Sequence, residues 1–235
     1  MIKYYRAIPY QKISQYFGES RVCAKVDANG KALRPWVLKE VKSTETPCPA
    51  GYSKFYPLLG MNGHNGKDRP APMFTRMYHP CSFTGKMRNA DDMDGGLGVD
   101  VISHEPILTC TEGCGQKHYV KWRGWHMAER PVLNGTEVHM GQFVGTSDST
   151  GASSGPHLHD SLKWCDADGN GIHSDNGFFG AIDADKHPEV QVIDTFVLDV
   201  LQVEQPPASI AAQLQAALFQ LSMLLRSLVD LISKK

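Results

Sequence analysis

The chain has 235 residues, enough to bury a sizeable core in one domain, and a formal net charge of -1 from 24 Lys and Arg against 25 Asp and Glu. That balance excludes the basic footprint of a nucleic-acid binder and shows no acidic tail. No stretch of roughly 18 or more apolar residues occurs, so no transmembrane segment is expected, and Met1-Ile2-Lys3-Tyr4-Tyr5-Arg6 lacks the apolar run of a secretory signal.

With 22 Gly and 14 Pro spread through the sequence, many short strands and turns are expected. Ile13-Ser14-Gln15-Tyr16-Phe17-Gly18 alternates and ends at a glycine, which predicts a short strand. From about 22 to 54 the pattern is broken by Asp27-Ala28-Asn29-Gly30, a hairpin-turn signal, and by Pro35, Pro47 and Pro49. This stretch reads as an insertion over one face. Gly60, Gly63 and Gly66 argue against a helix around His64 and Asp68, since each costs about 1 kcal/mol relative to Ala. In an extended segment that bends, the two side chains can converge. Pro72 to Pro80 and Phe83 to Met87 read as paired strands. Val99 to Ser103 and Lys117 to Trp122 read as single strands, and Val138 to Thr146 as a strand pair.

Ser154-Gly155-Pro156 reads as a turn feeding a strand that begins His157-Leu158-His159, whose two histidines then share one face. Asp166 to Gly171 has the first half of an EF-hand-type calcium loop. Position twelve is Gly177 rather than the bidentate Glu, so a polar hairpin loop is the better reading. Six cysteines without a Cys-x-x-Cys are expected to be mostly reduced and buried, with Cys110 and Cys114 the pair that could close a small loop. After Pro206-Pro207 the composition changes. Ile210, Leu214, Leu218, Leu221, Leu225, Leu228 and Ile232 form an apolar stripe, which predicts one C-terminal amphipathic helix within 206–235. It would dock on its own domain, lie on a membrane surface, or make a homo-oligomer through residues 208–233.

A catalytic zinc site needs three protein ligands and one open position. His64, Asp68 and His159 supply two imidazoles and one carboxylate, leaving net positive charge to acidify water. His157 is then placed to take a proton, and His126 to stabilise an oxyanion or protonate a leaving amine. Other His-x-His folds fit worse. Asp160-Ser161-Leu162 has the wrong spacing for a metallo-β-lactamase, and a cupin glutamate is missing at Leu162 to Trp164. His79, His104, His118, His139, His173 and His187 read as surface or structural, although His118 or His139 could line a groove.

Gly63-His64-Asn65-Gly66-Lys67-Asp68, Gly98-Val99-Asp100-Val101-Ile102, Trp125-His126-Met127, Gly141-Gln142-Phe143-Val144-Gly145 and Thr150 to His159, in this order, resemble the M23 (lysostaphin/LytM-type) zinc metallopeptidases. The resemblance spans roughly residues 10 to 195, with Ile13 to Gly18 as the opening segment. It implies a mainly β, antiparallel-sheet fold with a groove in residues 1–205, and one Zn2+ on His64, Asp68 and His159. His157 and His126 become the catalytic histidines, and the reaction is endopeptidase cleavage of peptidoglycan stem-peptide cross-links or cross-bridges. Asp160 after the last motif, Trp125 before His126 and the insertion at 22–54 depart from the pattern. The absence of an export signal suits a phage-released or virion-associated lysin. The competing expectation is a non-catalytic wall-binding or phage tail/scaffold module assembled through the C-terminal helix.

Overall fold

The computed structural model describes residues 1–92 and 94–204. Strands follow one another as β1 (Ile2–Arg6), β2 (Val22–Lys25), β3 (Leu38–Glu40) and β4 (Tyr52–Lys54), then a single helical turn, α1 (Phe55–Leu58). Next come β5 (Lys67–Pro70), β6 (Arg76–Tyr78), β7 (Gly85–Asn89), β8 (Gly98–Ser103), β9 (Leu108–Thr109) and β10 (Lys117–Trp125). The series closes with β11 (Met127–Glu129), β12 (Glu137–Val138), β13 (Phe143–Ser147), β14 (His157–Cys165), β15 (Ala181–Ile182), β16 (Val190–Phe196) and α2 (Val197–Glu204). The fold is mainly β and antiparallel, apart from the parallel pair β1 and β16. Compact units divide between Val197 and Leu198. The expected C-terminal amphipathic helix, its oligomer contact and the expected boundary near 205 lie outside the described residues.

The central sheet runs β12-β7-β8-β10-β14-β15, with β5 pairing β14 and β9 pairing β10. Alternation along β10 and β14 sorts side chains to two faces. Val120, Trp122, Leu158, Leu162 and Trp164 go to the core with Val99 and Val101 from β8, all fully buried. The opposite face carries His157, His159, Ser161 and Lys163 from β14 beside Trp125, Arg123 and Lys121 from β10 and Asp100 from β8. Asp100 is fully buried and compensated there, because Arg123 holds it through two bonds of 2.6 and 2.8 Å and Lys121 lies at 3.0 Å. The Asp166–Gly171 segment is a polar hairpin loop. Asp166 Oδ1 accepts the Asp168 and Asn170 amides, and Gly169 O accepts the Lys121 ammonium.

Four sequence expectations need correction. Ile13 to Gly18 makes no strand, only a bridge from Gln15 to Asp68, because the chain turns between Tyr16 and Glu19. Strand β6 does not pair with β7, nor β12 with β13. Instead β6 and β11 flank β13, while β7 joins β8 and β12 in the central sheet. Cys110 and Cys114 are not bonded to each other, since each sulfur faces a histidine. The disulfide present is Cys23–Cys48, whereas Cys81, Cys110 and Cys165 are buried free thiols and Cys114 is an exposed one.

That disulfide belongs to the predicted insertion, which is a small sheet, β3-β2-β4. Asp27 shapes its hairpin by accepting the Asn29 and Lys31 amides, and Gly30 takes the left-handed φ of 79° that the turn demands. Val22 and Ala24 pack with Phe55, Tyr56 and Met61 into a second apolar cluster.

Candidate metal centre and groove

Strand register assembles the site. On β14, His159 stands opposite Asp68 of β5 on one side and Trp125 of β10 on the other. His64 arrives from the bend before β5, which is pinned by mutual backbone bonds between Glu19, His64 and Gly18. The outcome is a triangle: His64 Nε2 to His159 Nδ1 is 2.9 Å, and each nitrogen is 3.1 Å from Asp68 Oδ1. These three side chains can hold a metal ion between them.

His64 Nδ1 donates to Tyr16 O at 3.3 Å, which leaves Nε2 as the ring nitrogen that faces the triangle. Burial pushes His159 down to about 4, which keeps its imidazole neutral near neutrality. Burial opposes ionisation of Asp68, but the His64 and His157 charges and the hydrogen bonds from His157 and His159 outweigh it. The carboxyl is held well below its ordinary range.

His157 and His126 border the triangle, with their ring centroids 4.4 Å apart. His157 Nδ1 donates to Gly155 O at 2.8 Å and turns Nε2 to within 3.5 Å of Asp68 Oδ1. His126 Nδ1 donates to Thr150 O at 2.6 Å. Burial, reinforced by His157 and His159, lowers His126 to about 3, so it stands neutral. Its φ of 63° is a left-handed value rare for a residue with a Cβ, at the junction where β10 gives way to β11. All five residues singled out in the sequence therefore meet in one place. His118 and His139 do not line the groove. His79 and His187 are buried and bonded to backbone carbonyls, and His104 and His139 lie at the surface near Glu137.

Several supporting residues were not visible as such in the sequence. A Cβ on Gly66 would sit 2.5 Å from Asp160 O and 2.7 Å from His159 Nε2, so only glycine leaves the His159 ring in place. Trp125 packs 5.5 Å from the His159 ring, and Gly95 and Gly98 exist beneath it because Cβ atoms there would overlap its indole at 2.3 and 2.1 Å. Tyr56, buried 5.6 Å from the His64 ring and bonded to Gln15, backs the other side.

The triangle opens into a groove of about 630 Å³. One wall is the insertion sheet and α1, through Val22, Leu38, Phe55 and Tyr56. The other is formed by Asp92, Asp94, Gly95 and Trp125, with the Ala152–Pro156 loop at the end. Arg34 and Trp36 from the insertion reach Asp94 at 2.6 and 3.0 Å. The groove is thus bridged by its own walls.

No protein-family profile matches the chain, and no curated protein does either. Solved structures do. In structure the chain resembles M23-type peptidases. The catalytic domain of the antimicrobial peptidase lysostaphin from Staphylococcus simulans is 25% identical over 58% of this chain and 82% of that one, with a TM-score of 0.39. The catalytic domain of a mutant of the prophage-encoded M23 protein EnpA from Enterococcus faecalis is 23% identical over 48% and 78%, with a TM-score of 0.35. A zinc-containing peptidase from Vibrio cholerae is 19% identical over 68% and 37%, with a TM-score of 0.41. Among the described residues no helix is long and apolar enough to cross a membrane.

Proposed function

We propose that the protein is a zinc endopeptidase of M23 type that hydrolyses peptide bonds of bacterial peptidoglycan. One observation carries this reading: two imidazoles and one carboxylate held ionised converge on a single point, flanked by two further histidines, in a groove. The donor set fits zinc, which takes His nitrogen and Asp oxygen in tetrahedral sites and in catalytic ones keeps three protein ligands. The spacing fits as well. Metal bonds of about 2.0–2.2 Å at tetrahedral angles put neighbouring donors roughly 3.3–3.6 Å apart, a few tenths of an ångström beyond the 2.9 and 3.1 Å here.

Bound there through His64, Asp68 and His159, zinc supplies a Lewis acid that polarises the scissile carbonyl and acidifies the attacking water. His157 Nε2 is the base that accepts that water's proton. Its Nδ1–H is fixed on Gly155 O, so the lone pair faces the site. His126, likewise fixed through Nδ1–H on Thr150 O, turns an Nε2 lone pair to the site, and would serve the developing oxyanion or the leaving nitrogen only once that Nε2 has itself taken up a proton. The phage-released or virion-associated setting belongs to the same reading.

Mass spectrometry of fragments released from purified cell walls tests it. The expected result is a new amino terminus within the stem peptide or cross-bridge. Walls that are bound but left intact would replace the enzyme with a wall-binding or tail/scaffold module.

A further inference from the structure

At the far end of β10 and β14, about 23 Å along the strand from Trp125, a second group of metal-ligating side chains converges. Cys110, Cys114, His118 and His173 each offer one ligand atom, and these four atoms lie within 4.8 Å of one another. Cys110 Sγ is 3.5 Å from His173 Nε2, and Cys114 Sγ is 3.1 Å from His118 Nε2. The two imidazole rings are 5.3 Å apart, with the Trp164 indole 6.1 Å from one and 6.3 Å from the other. We infer that these four residues form a closed Cys2His2 zinc site, separate from the groove.

Geometry and charge both favour it. Zinc bonds of about 2.3 Å to sulfur and 2.0–2.1 Å to nitrogen, at tetrahedral angles, set sulfur and nitrogen roughly 3.5 Å apart. One sulfur–nitrogen separation, 3.5 Å, matches that value, and the other, 3.1 Å, is shorter by about 0.4 Å. On binding, each thiol gives its proton to solvent. Two thiolates and two neutral imidazoles then leave a Zn2+ site with no net charge, which a part-buried position tolerates. Four protein donors leave no open position, so the site is structural. It ties together parts of the chain that share few other bonds. Cys110 follows β9, Cys114 lies in the turn to β10, His118 is on β10, and His173 comes from the connection between β14 and β15. The metal would clip that connection to the β9–β10 hairpin.

Zinc content and cobalt substitution of the full chain test the inference. The expected result is two zinc ions per chain as purified. Replacing them with Co2+ should give a thiolate-to-cobalt charge-transfer band, which a His2Asp centre cannot produce. A His64→Ala/Asp68→Ala variant should keep that band while losing one metal equivalent. Cys110→Ser/Cys114→Ser should lose the band and keep the other equivalent. A single metal per chain with no charge-transfer band in the unmodified protein would overturn the inference. So would a Cys110–Cys114 disulfide found by peptide mapping of the protein as purified.

Discussion

His64 Nε2 and His159 Nδ1 stand 2.9 Å apart although 95 residues separate them in the chain. Strand register brings them there: β5 pairs with β14 so that Asp68 faces His159, and the bend before β5 swings His64 over the same point. Small changes around that bend should therefore be felt at the metal.

Gly66→Ala is the sharpest of these. The added methyl would meet the Asp160 carbonyl oxygen at 2.5 Å, which is backbone and cannot step aside, so the His159 ring must move. Zinc affinity should fall by about 10- to 100-fold, as when a supporting residue of a metal ligand is lost. Competition with a chromophoric chelator measures it; an unchanged affinity would show that the ring is not held from this side.

His157→Ala and His126→Ala should separate chemistry from metal binding. Neither ring belongs to the triangle, so zinc content should hold. The rate constant for hydrolysis should drop by about 10²–10⁴-fold, the range for a lost general acid or base. Loss of metal in either variant would assign that histidine to coordination instead.

The histidine pattern was legible because strand periodicity is local. His157 and His159 had to share a face once Gly155-Pro156 turned the chain into a strand, and the glycines around His64 ruled out a helix. What could not be read was register between distant strands, which depends on packing rather than on any short motif. For that reason Gly66 looked like a helix breaker when it is the space that the His159 ring occupies, and Trp125 looked like a departure when it is that ring's packing partner. The Cys110, Cys114 and His118 spacing was equally hard to recognise, since its fourth member, His173, comes from beyond β14. The expected strand at Ile13 to Gly18 failed for the opposite reason: its alternation is real, but its backbone is committed to holding Asp68 and His64.

Acid sensitivity should have one source away from the groove, besides the buried His126 and His159 within it. Burial pushes His79 from 6.5 down to about 4, with its ring against Trp122 and Nε2–H bonded to Phe83 O. Above pH 6.5 the residue is neutral in both folded and unfolded chains and costs nothing. Between 6.5 and about 4 only the unfolded chain takes the proton, so stability is lost as pH falls, by about 3 kcal/mol in all. Urea unfolding at a series of pH values should show this slope, and His79→Phe should reduce it by about that amount, leaving the share that His126 and His159, also lowered by burial, contribute. A slope unchanged by the substitution would show that His79 does not contribute.

Reduction should loosen the groove wall. The Cys23–Cys48 bond closes a loop with a sequence separation of 25, worth about 3.5 kcal/mol by the chain-entropy estimate. Dithiothreitol, or Cys23→Ser/Cys48→Ser, should lower the urea midpoint correspondingly; a midpoint that stays put would mean that the second apolar cluster holds the insertion sheet unaided.

The central claim is that the triangle of His64, Asp68 and His159 works only with a cation between its members. Release of new amino termini from purified peptidoglycan, followed with protein stripped by a chelator and then resupplied with zinc, measures this directly. The account predicts no release from the stripped protein and full recovery on adding zinc. Continued release after complete metal removal, or none from the zinc-loaded chain, would contradict it.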